Sequence, residues 1–361
     1  MSTLVAISGG VDSSIAAYLT KARGERVICV LMKMFEGDAQ TCAVRQKSCC
    51  SEADAADARA VAAKLGVDFF VFNYKDVFRQ EVIERFVKCY ARGETPNPCI
   101  DCNKYVKFGE LFRHLTAYEC DMFATGHYAR ISRDQGSGRW LLRKAVDTAK
   151  DQTYFLYNLT QEQLARTRFP VGELTKREVR EIAETQGFIT ARKPESQDIC
   201  FVPDGNYMSF IEAHTGGAMR QGDFVDATGN VIGRHGGSMR YTIGQRRGIG
   251  VGGFSKPMYV VSIDAVNNTV RLGEESELYS RRLLARDINW IALSGLTSPI
   301  KAHAQIRYNS TPQPATLHPV GDNEVMVDFS ISQRAIASGQ SVVFYDGDVT
   351  IGGGTICTAE S

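Results

Sequence analysis

Ser8-Gly9-Gly10-Val11-Asp12-Ser13-Ser14 joins two adjacent glycines, three hydroxyls and a carboxylate in seven residues. Glycines let a backbone approach a ligand closely, hydroxyls and free N–H groups donate to an anion, and a carboxylate can hold a magnesium ion. The combination reads as a phosphate-binding loop. No Gly-Lys-Ser/Thr follows it, so it is not a Walker A loop, and it lacks G-x-G-x-x-G. An ordinary strand-to-helix turn is the plain alternative, which paired glycines flanked by Ser and Asp-Ser-Ser disfavour. A later glycine cluster, Gly248, Gly250, Gly252 and Gly253, lacks a strand-to-helix setting and reads as a flexible loop.

The second chemical feature is Thr95-Pro96-Asn97-Pro98-Cys99-Ile100-Asp101-Cys102-Asn103. Its prolines predict a stiff extended loop before a helix beginning near Asn103. Cys102 is then expected near a helix N-terminus, which favours thiolate. Cys200 follows far along, in Ile199-Cys200-Phe201. A structural zinc site would need two further ligands, and the adjacent Cys49-Cys50 pair is an awkward supply. The chain has ten cysteines, and with no export signal expected before the apolar run at Leu4, a disulfide framework is not expected either. Cys29, within the apolar run Val27 to Met32, reads as core.

The elements that must position these residues alternate short apolar runs with helix-period stripes, the pattern of a parallel α/β sheet. Strands are predicted at Leu4 to Ile7, Val27 to Met32, Phe69 to Phe72 and Met122 to Thr125. Helical stripes are Ile15, Ala16, Leu19; Ala58, Val61, Ala62, Leu65, with Ser51 as N-cap; and Val82, Ile83, Phe86, Val87, Tyr90. Thr175 and Glu178 form a capping box, stapled by Leu174 and Val179. Beyond about residue 205, glycine becomes frequent and helix periodicity fades. Tyr259 to Ile263 and Thr269 to Leu272 predict a hairpin, and runs from Leu283 onward a small β-barrel. The expected class is α/β: a doubly wound parallel sheet over 1–205, a small linking domain over 206–275, and a C-terminal β-barrel over 276–361.

With 361 residues, 43% hydrophobic and 23% charged, substantial cores are expected. No run approaches the ~18 apolar residues of a membrane span, so a cytoplasmic location without membrane contact is expected. A net charge of +1 offers no global attraction for nucleic acid. Such binding would need local patches: Arg240, Arg246, Arg247 and Lys256, or Arg281, Arg282 and Arg286.

The glycine loop resembles that of the ATP pyrophosphatase superfamily. That resemblance implies splitting ATP to AMP and pyrophosphate, with Ala6, Ile7, Ser8, Gly9, Gly10, Val11, Asp12 and Ser13 contacting ATP. Met32 and Gly126 would line the nucleotide pocket from neighbouring strand ends. Together with Asn97-Pro98-x-x-x-Cys102-Asn103, Thr125-Gly126-His127-Tyr128, Lys150-Asp151-Gln152, Ile199-Cys200-Phe201 and Tyr241-Thr242-Ile243-Gly244-Gln245-Arg246-Arg247-Gly248, the whole chain is similar to the bacterial tRNA-specific 2-thiouridylase family.

The resemblance implies that ATP adenylates O2 of a wobble uridine. Cys200 would carry sulfur as a persulfide from an upstream sulfur-carrier protein, and Cys102 would be its partner nucleophile. Asn97, Pro98 and Cys99 match the target-base segment; Lys150, Asp151, Gln152, Arg307 and Tyr308 match tRNA contacts. Some relatives carry Asp at Cys99, so Cys99, Cys102 and Cys200 would also suit a [4Fe–4S] cluster; the persulfide route is favoured. Two other classes remain: a non-thiolating ATP-pyrophosphatase ligase, which has no need of Cys102 and Cys200, and a noncatalytic RNA-binding protein, which has no need of Asp12.

Overall fold

A computed structural model describes residues 1–35, 52–194, 199–202, 205–217, 219–321 and 323–360. The predicted N-cap Ser51 and the Cys49-Cys50 pair lie outside them. The chain forms two compact units. The first takes Met1–Ile83, Pro98–Gly205 and Asp348–Thr350; the second takes Glu84–Asn97, Asn206–Gly347 and Ile351–Ser361.

In the first unit, β1 (Ser2–Ala6), β2 (Arg26–Lys33), β3 (Asp68–Asn73) and β4 (Met122–Thr125) are the four predicted strands. An antiparallel hairpin of β5 (Ala129–Arg133) and β6 (Trp140–Lys144) follows, then the two-residue β7 (Thr167–Arg168). The parallel sheet runs β3-β2-β1-β4-β7. Parallel neighbours need crossovers, supplied by α1 (Val11–Ala22) between β1 and β2 and α2 (Glu52–Leu65) between β2 and β3. The predicted stripes become one core: Ile15 and Ala16 of α1 and Ala58, Val61 and Ala62 of α2 pack with Val5 of β1. Cys29 is fully buried in it, and burial pushes its thiol pKa up to about 12, so it is inert packing.

The chain leaves β1 for β2 on one side and returns to β4 on the other. The carboxyl end of β1 is therefore the switch point of the sheet, where open α/β folds bind ligands.

The proline-rich segment departs from expectation. A helix starts at Pro98 rather than near Asn103: Pro98–Asp101 runs into a π-helix, Cys102–Leu111, and then Phe112–Ala117. Proline is accepted in the first helical turn because the N–H it lacks would have no intrahelical partner there. Cys102 thus sits a full turn inside the helix and is buried. Downstream, the capping box forms as predicted: Glu178 N–H donates to Thr175 Oγ1 at 3.3 Å and Thr175 N–H to Glu178 Oε2 at 2.7 Å.

In the second unit, β8 (Gly222–Val225), β9 (Val231–His235), β10 (Tyr259–Asp264) and β11 (Thr269–Gly273) make a sheet in the order β10-β11-β8-β9. The pair β10 and β11 is the predicted hairpin, and Phe224, Tyr241, Val260 and Leu272 fill its core. A closed six-stranded barrel follows: β12 (Tyr279–Trp290), β13 (Ile300–Gln305), β14 (Gln313–Gly321), β15 (Glu324–Arg334), β16 (Ser341–Asp346) and β17 (Val349–Glu360). Closure comes from β12 pairing with β17. The sequence did not suggest β17, because Gly352-Gly353-Gly354 is a poor strand former. A Cβ at Gly354 would lie 2.6 Å from the Arg286 carbonyl oxygen of β12, so the glycines admit a close strand approach.

Helix Glu84–Ala91, part of the third predicted stripe, also belongs to this unit, with Tyr90 stacked on Tyr207 at 5.4 Å. Among the described residues, no helix is long and apolar enough to cross a membrane.

Candidate nucleotide and sulfur site

The loop after β1 is shaped by its glycines and serines. Gly9 has φ +73°, a conformation glycine adopts without penalty, and any Cβ there would overlap the Asp54 carbonyl at the start of α2. Gly10 caps α1 without a side chain, while Ser13 and Ser14 donate back to its carbonyl at 3.0 and 2.8 Å. Ser8 N–H donates to Ser13 Oγ at 3.1 Å. The loop therefore wraps the N-terminus of α1, whose unpaired N–H groups and dipole favour an anion.

Gly126, at the end of β4, closes the other wall. A Cβ there would lie 2.6 Å from Ser13 N and 2.7 Å from the Asp12 carbonyl carbon. Met32, paired with Phe72 near the end of β2, lies on the neighbouring strand end.

Asp12 is held by residues that the sequence did not single out for it. Its Oδ1 and Oδ2 receive Lys176 Nζ at 2.7 and 2.8 Å, and Tyr128 OH donates to Oδ1 at 2.8 Å. One signal was legible: a lysine in a helix's first turn opposes the helix dipole, so it implies an acidic partner elsewhere. Tyr128 is in turn fixed by Gln152, whose Oε1 accepts Tyr128 N–H at 3.0 Å and whose N–H donates to Tyr128 O at 2.9 Å.

Asp151 turns inward, accepting from Ala145 N–H at 2.9 Å and Thr153 Oγ1 at 2.5 Å; burial raises its pKa against those bonds. Lys150, beside them, is half-buried. His127 is half-buried, with Nδ1 2.6 Å from Thr125 Oγ1. Burial, reinforced by the Lys107 ammonium, holds its pKa well below the usual range, so it stays neutral and structural.

A second lysine, Lys193, was also missed. Its Nζ donates to the Gly9 carbonyl at 3.0 Å, Asp54 Oδ1 at 2.6 Å and Asp57 Oδ2 at 2.5 Å. Burial opposes the ammonium, but the hydrogen bonds to Asp54 and Asp57 outweigh it and push its pKa up.

Cys102 donates to the Met34 sulfur at 3.8 Å, so the buried thiol faces the segment that leaves β2. Cys99 is exposed and Cys200 half-buried. Phe201, only 2% exposed and edge-on to Phe78, anchors the turn next to Cys200.

Among the described residues, no three His, Cys, Asp or Glu side chains are grouped to hold a metal. With Asp12 occupied by Lys176, the loop does not fit a protein-held magnesium site. With Cys102 turned to Met34 and Cys99 exposed, the thiols as placed do not fit an iron–sulfur cluster.

Arg307, Tyr308 and Asn97 belong to the second unit. Arg307 donates to the carbonyls of Arg334 and Ala335. Of the basic stretches, Arg240 pairs with Glu212, Lys256 with Glu274 at 2.8 Å, and Arg281 and Arg282 with Asp328 at 3.8 and 3.3 Å.

Three family descriptions match successive parts of the chain. Residues 1–204 match the family described as tRNA methyl transferase HUP domain. Residues 208–274 match a tRNA methyl transferase PRC-barrel domain, and 280–356 an aminomethyltransferase beta-barrel domain. The tRNA-specific 2-thiouridylase MnmA of Clostridioides difficile is 47% identical over 98% of this chain and 97% of its own. That of Symbiobacterium thermophilum is 49% identical over 98% and 91%. Among solved structures, a 4-thiouridine synthetase–RNA complex with bound ATP overlaps at TM-score 0.35 and 15% identity, over 60% of this chain and 50% of that one. On its end-to-end similarity to the two 2-thiouridylases, the chain belongs to the tRNA-specific 2-thiouridylase family.

Proposed function

We propose that this chain replaces O2 of a tRNA wobble uridine with sulfur, driven by ATP. One observation carries the reading. The glycine loop follows β1, and Met34, which receives the Cys102 thiol, follows the adjacent strand β2. The glycine loop and the acceptor of the Cys102 thiol thus leave neighbouring strand ends of one sheet, which supports pairing an anion cradle with a sulfur nucleophile.

The cradle holds the triphosphate while uridine O2 attacks the α-phosphorus, expelling pyrophosphate and leaving an O-adenylated base. Cys200 carries the incoming sulfur as a persulfide received from an upstream carrier protein. Cys102 attacks the Cys200 sulfur, and the released hydrosulfide adds at C2 and expels AMP. Two thiols become a disulfide as the sulfane sulfur is reduced to sulfide, and an external thiol reductant restores them. Asn97, Pro98 and Cys99 contact the target base, and Lys150, Asp151, Gln152, Arg307 and Tyr308 the rest of the tRNA. Lysine and arginine suit phosphates, and Tyr308 suits base stacking.

The test is product chromatography. AMP and pyrophosphate should form from ATP only when tRNA is supplied. ADP and phosphate as products would remove the assignment.

A further inference from the structure

The loop that must accept a polyanion is built against two carboxylates. Gly9 lies so close to the start of α2 that even a methyl group would overlap the Asp54 backbone. This brings Asp54, 7% exposed, and Asp57 beside the loop. Left alone, two such charges would repel a triphosphate and weaken the attraction of the α1 N-terminus. Lys193 answers both: its ammonium reaches each carboxylate and donates as well to the Gly9 carbonyl. The cluster's formal charge is thereby −1 rather than −2, and the Gly9 carbonyl oxygen is turned to a cation. A second contact from the same stretch, Thr190 Oγ1 to Ser14 Oγ at 3.1 Å with both residues fully buried, holds it against α1.

We infer that Lys193 is the charge-balancing residue of the nucleotide site: it neutralises the α2 carboxylates so that the glycine loop can hold the phosphates of ATP. It touches neither reacting atom and acts through the loop and α2. This rests on the nucleotide reading above; a wild-type chain that binds no ATP would remove that reading, whereas the comparisons below test Lys193 alone.

The experiment is calorimetric titration of the full chain with ATP and, separately, with uncharged adenosine. Lys193→Met should weaken ATP binding by roughly ten- to hundredfold, the scale of losing one close charge, and leave adenosine binding within about twofold. Adding Asp54→Asn and Asp57→Asn to it should return ATP affinity to near wild type. Asp54→Asn/Asp57→Asn with Lys193 intact should bind ATP at least as tightly as wild type, and this variant keeps the test decisive if Lys193→Met fails to fold. Equal losses for ATP and adenosine, or no recovery in the triple variant, or weakened ATP binding in the double variant, would each overturn the inference.

Discussion

Gly126→Ala probes how the strand ends form the nucleotide pocket. Gly126 does not need glycine for its backbone angles, since it is absent from the positive-φ positions. It needs glycine for space. The added Cβ would meet Ser13 N at 2.6 Å and the Asp12 carbonyl carbon at 2.7 Å, both backbone atoms at the first turn of α1. Ordinary van der Waals contact begins near 3.4 Å, so about 0.8 Å must be found by moving β4 or the loop. Overpacking of this kind costs about 2–3 kcal/mol, or roughly 5–10 °C in melting temperature. A loop displaced on that scale should lose about a hundredfold in turnover. Gly10→Ala is the control: its new Cβ has only Ser8 Oγ near, at 3.5 Å, and its φ of −96° suits alanine. It should melt like wild type while still hindering phosphate approach. Thermal melts and ATP titration of both proteins decide the matter. If Gly126→Ala melts with wild type and turns over ATP normally, the close-approach argument is wrong.

Three further outcomes are expected. Cys102→Ser and Cys200→Ser should each lose nearly all 2-thiouridine, measured by nucleoside chromatography, because the pair acts as a unit, while Cys99→Ser keeps most activity; a Cys99→Ser loss as deep as the others would refute the two-thiol route. Arg307→Ala should weaken tRNA binding and flatten its salt dependence by roughly one phosphate contact. Because Arg307 also ties down two backbone carbonyls, a lowered melting temperature with unchanged salt slope would mark it as structural only. His127 titrates near 6.5 when unfolded but well below that when folded, so its contribution to stability is complete above 6.5 and is lost as pH falls beneath it. Urea titrations between about pH 7 and pH 5 should show that slope flattened in His127→Asn; identical slopes would contradict a ring held neutral by the fold.

Local pattern and chain order were enough for much of this protein. Apolar period and turn residues located β1 to β4, both crossover stripes, the Thr175–Glu178 capping box and the β10–β11 hairpin, because each is fixed by neighbours within a few residues. The glycine loop was legible for the same reason: its chemistry is contiguous. Tertiary structure decided whatever depends on partners distant in sequence. Pro98 could have closed a loop or opened a helix, and packing chose the helix, burying Cys102. The glycine-rich β17 exists because β12 offers an edge that only glycines can approach so closely. Lys176 carried only the hint of its place in a helix's first turn and Lys193 none; only the fold brings one to Asp12 and the other to Asp54, Asp57 and the Gly9 carbonyl. Buried charge needs its counter-charge within a few ångströms, and the fold sets that distance, across 164 and 139 residues of chain.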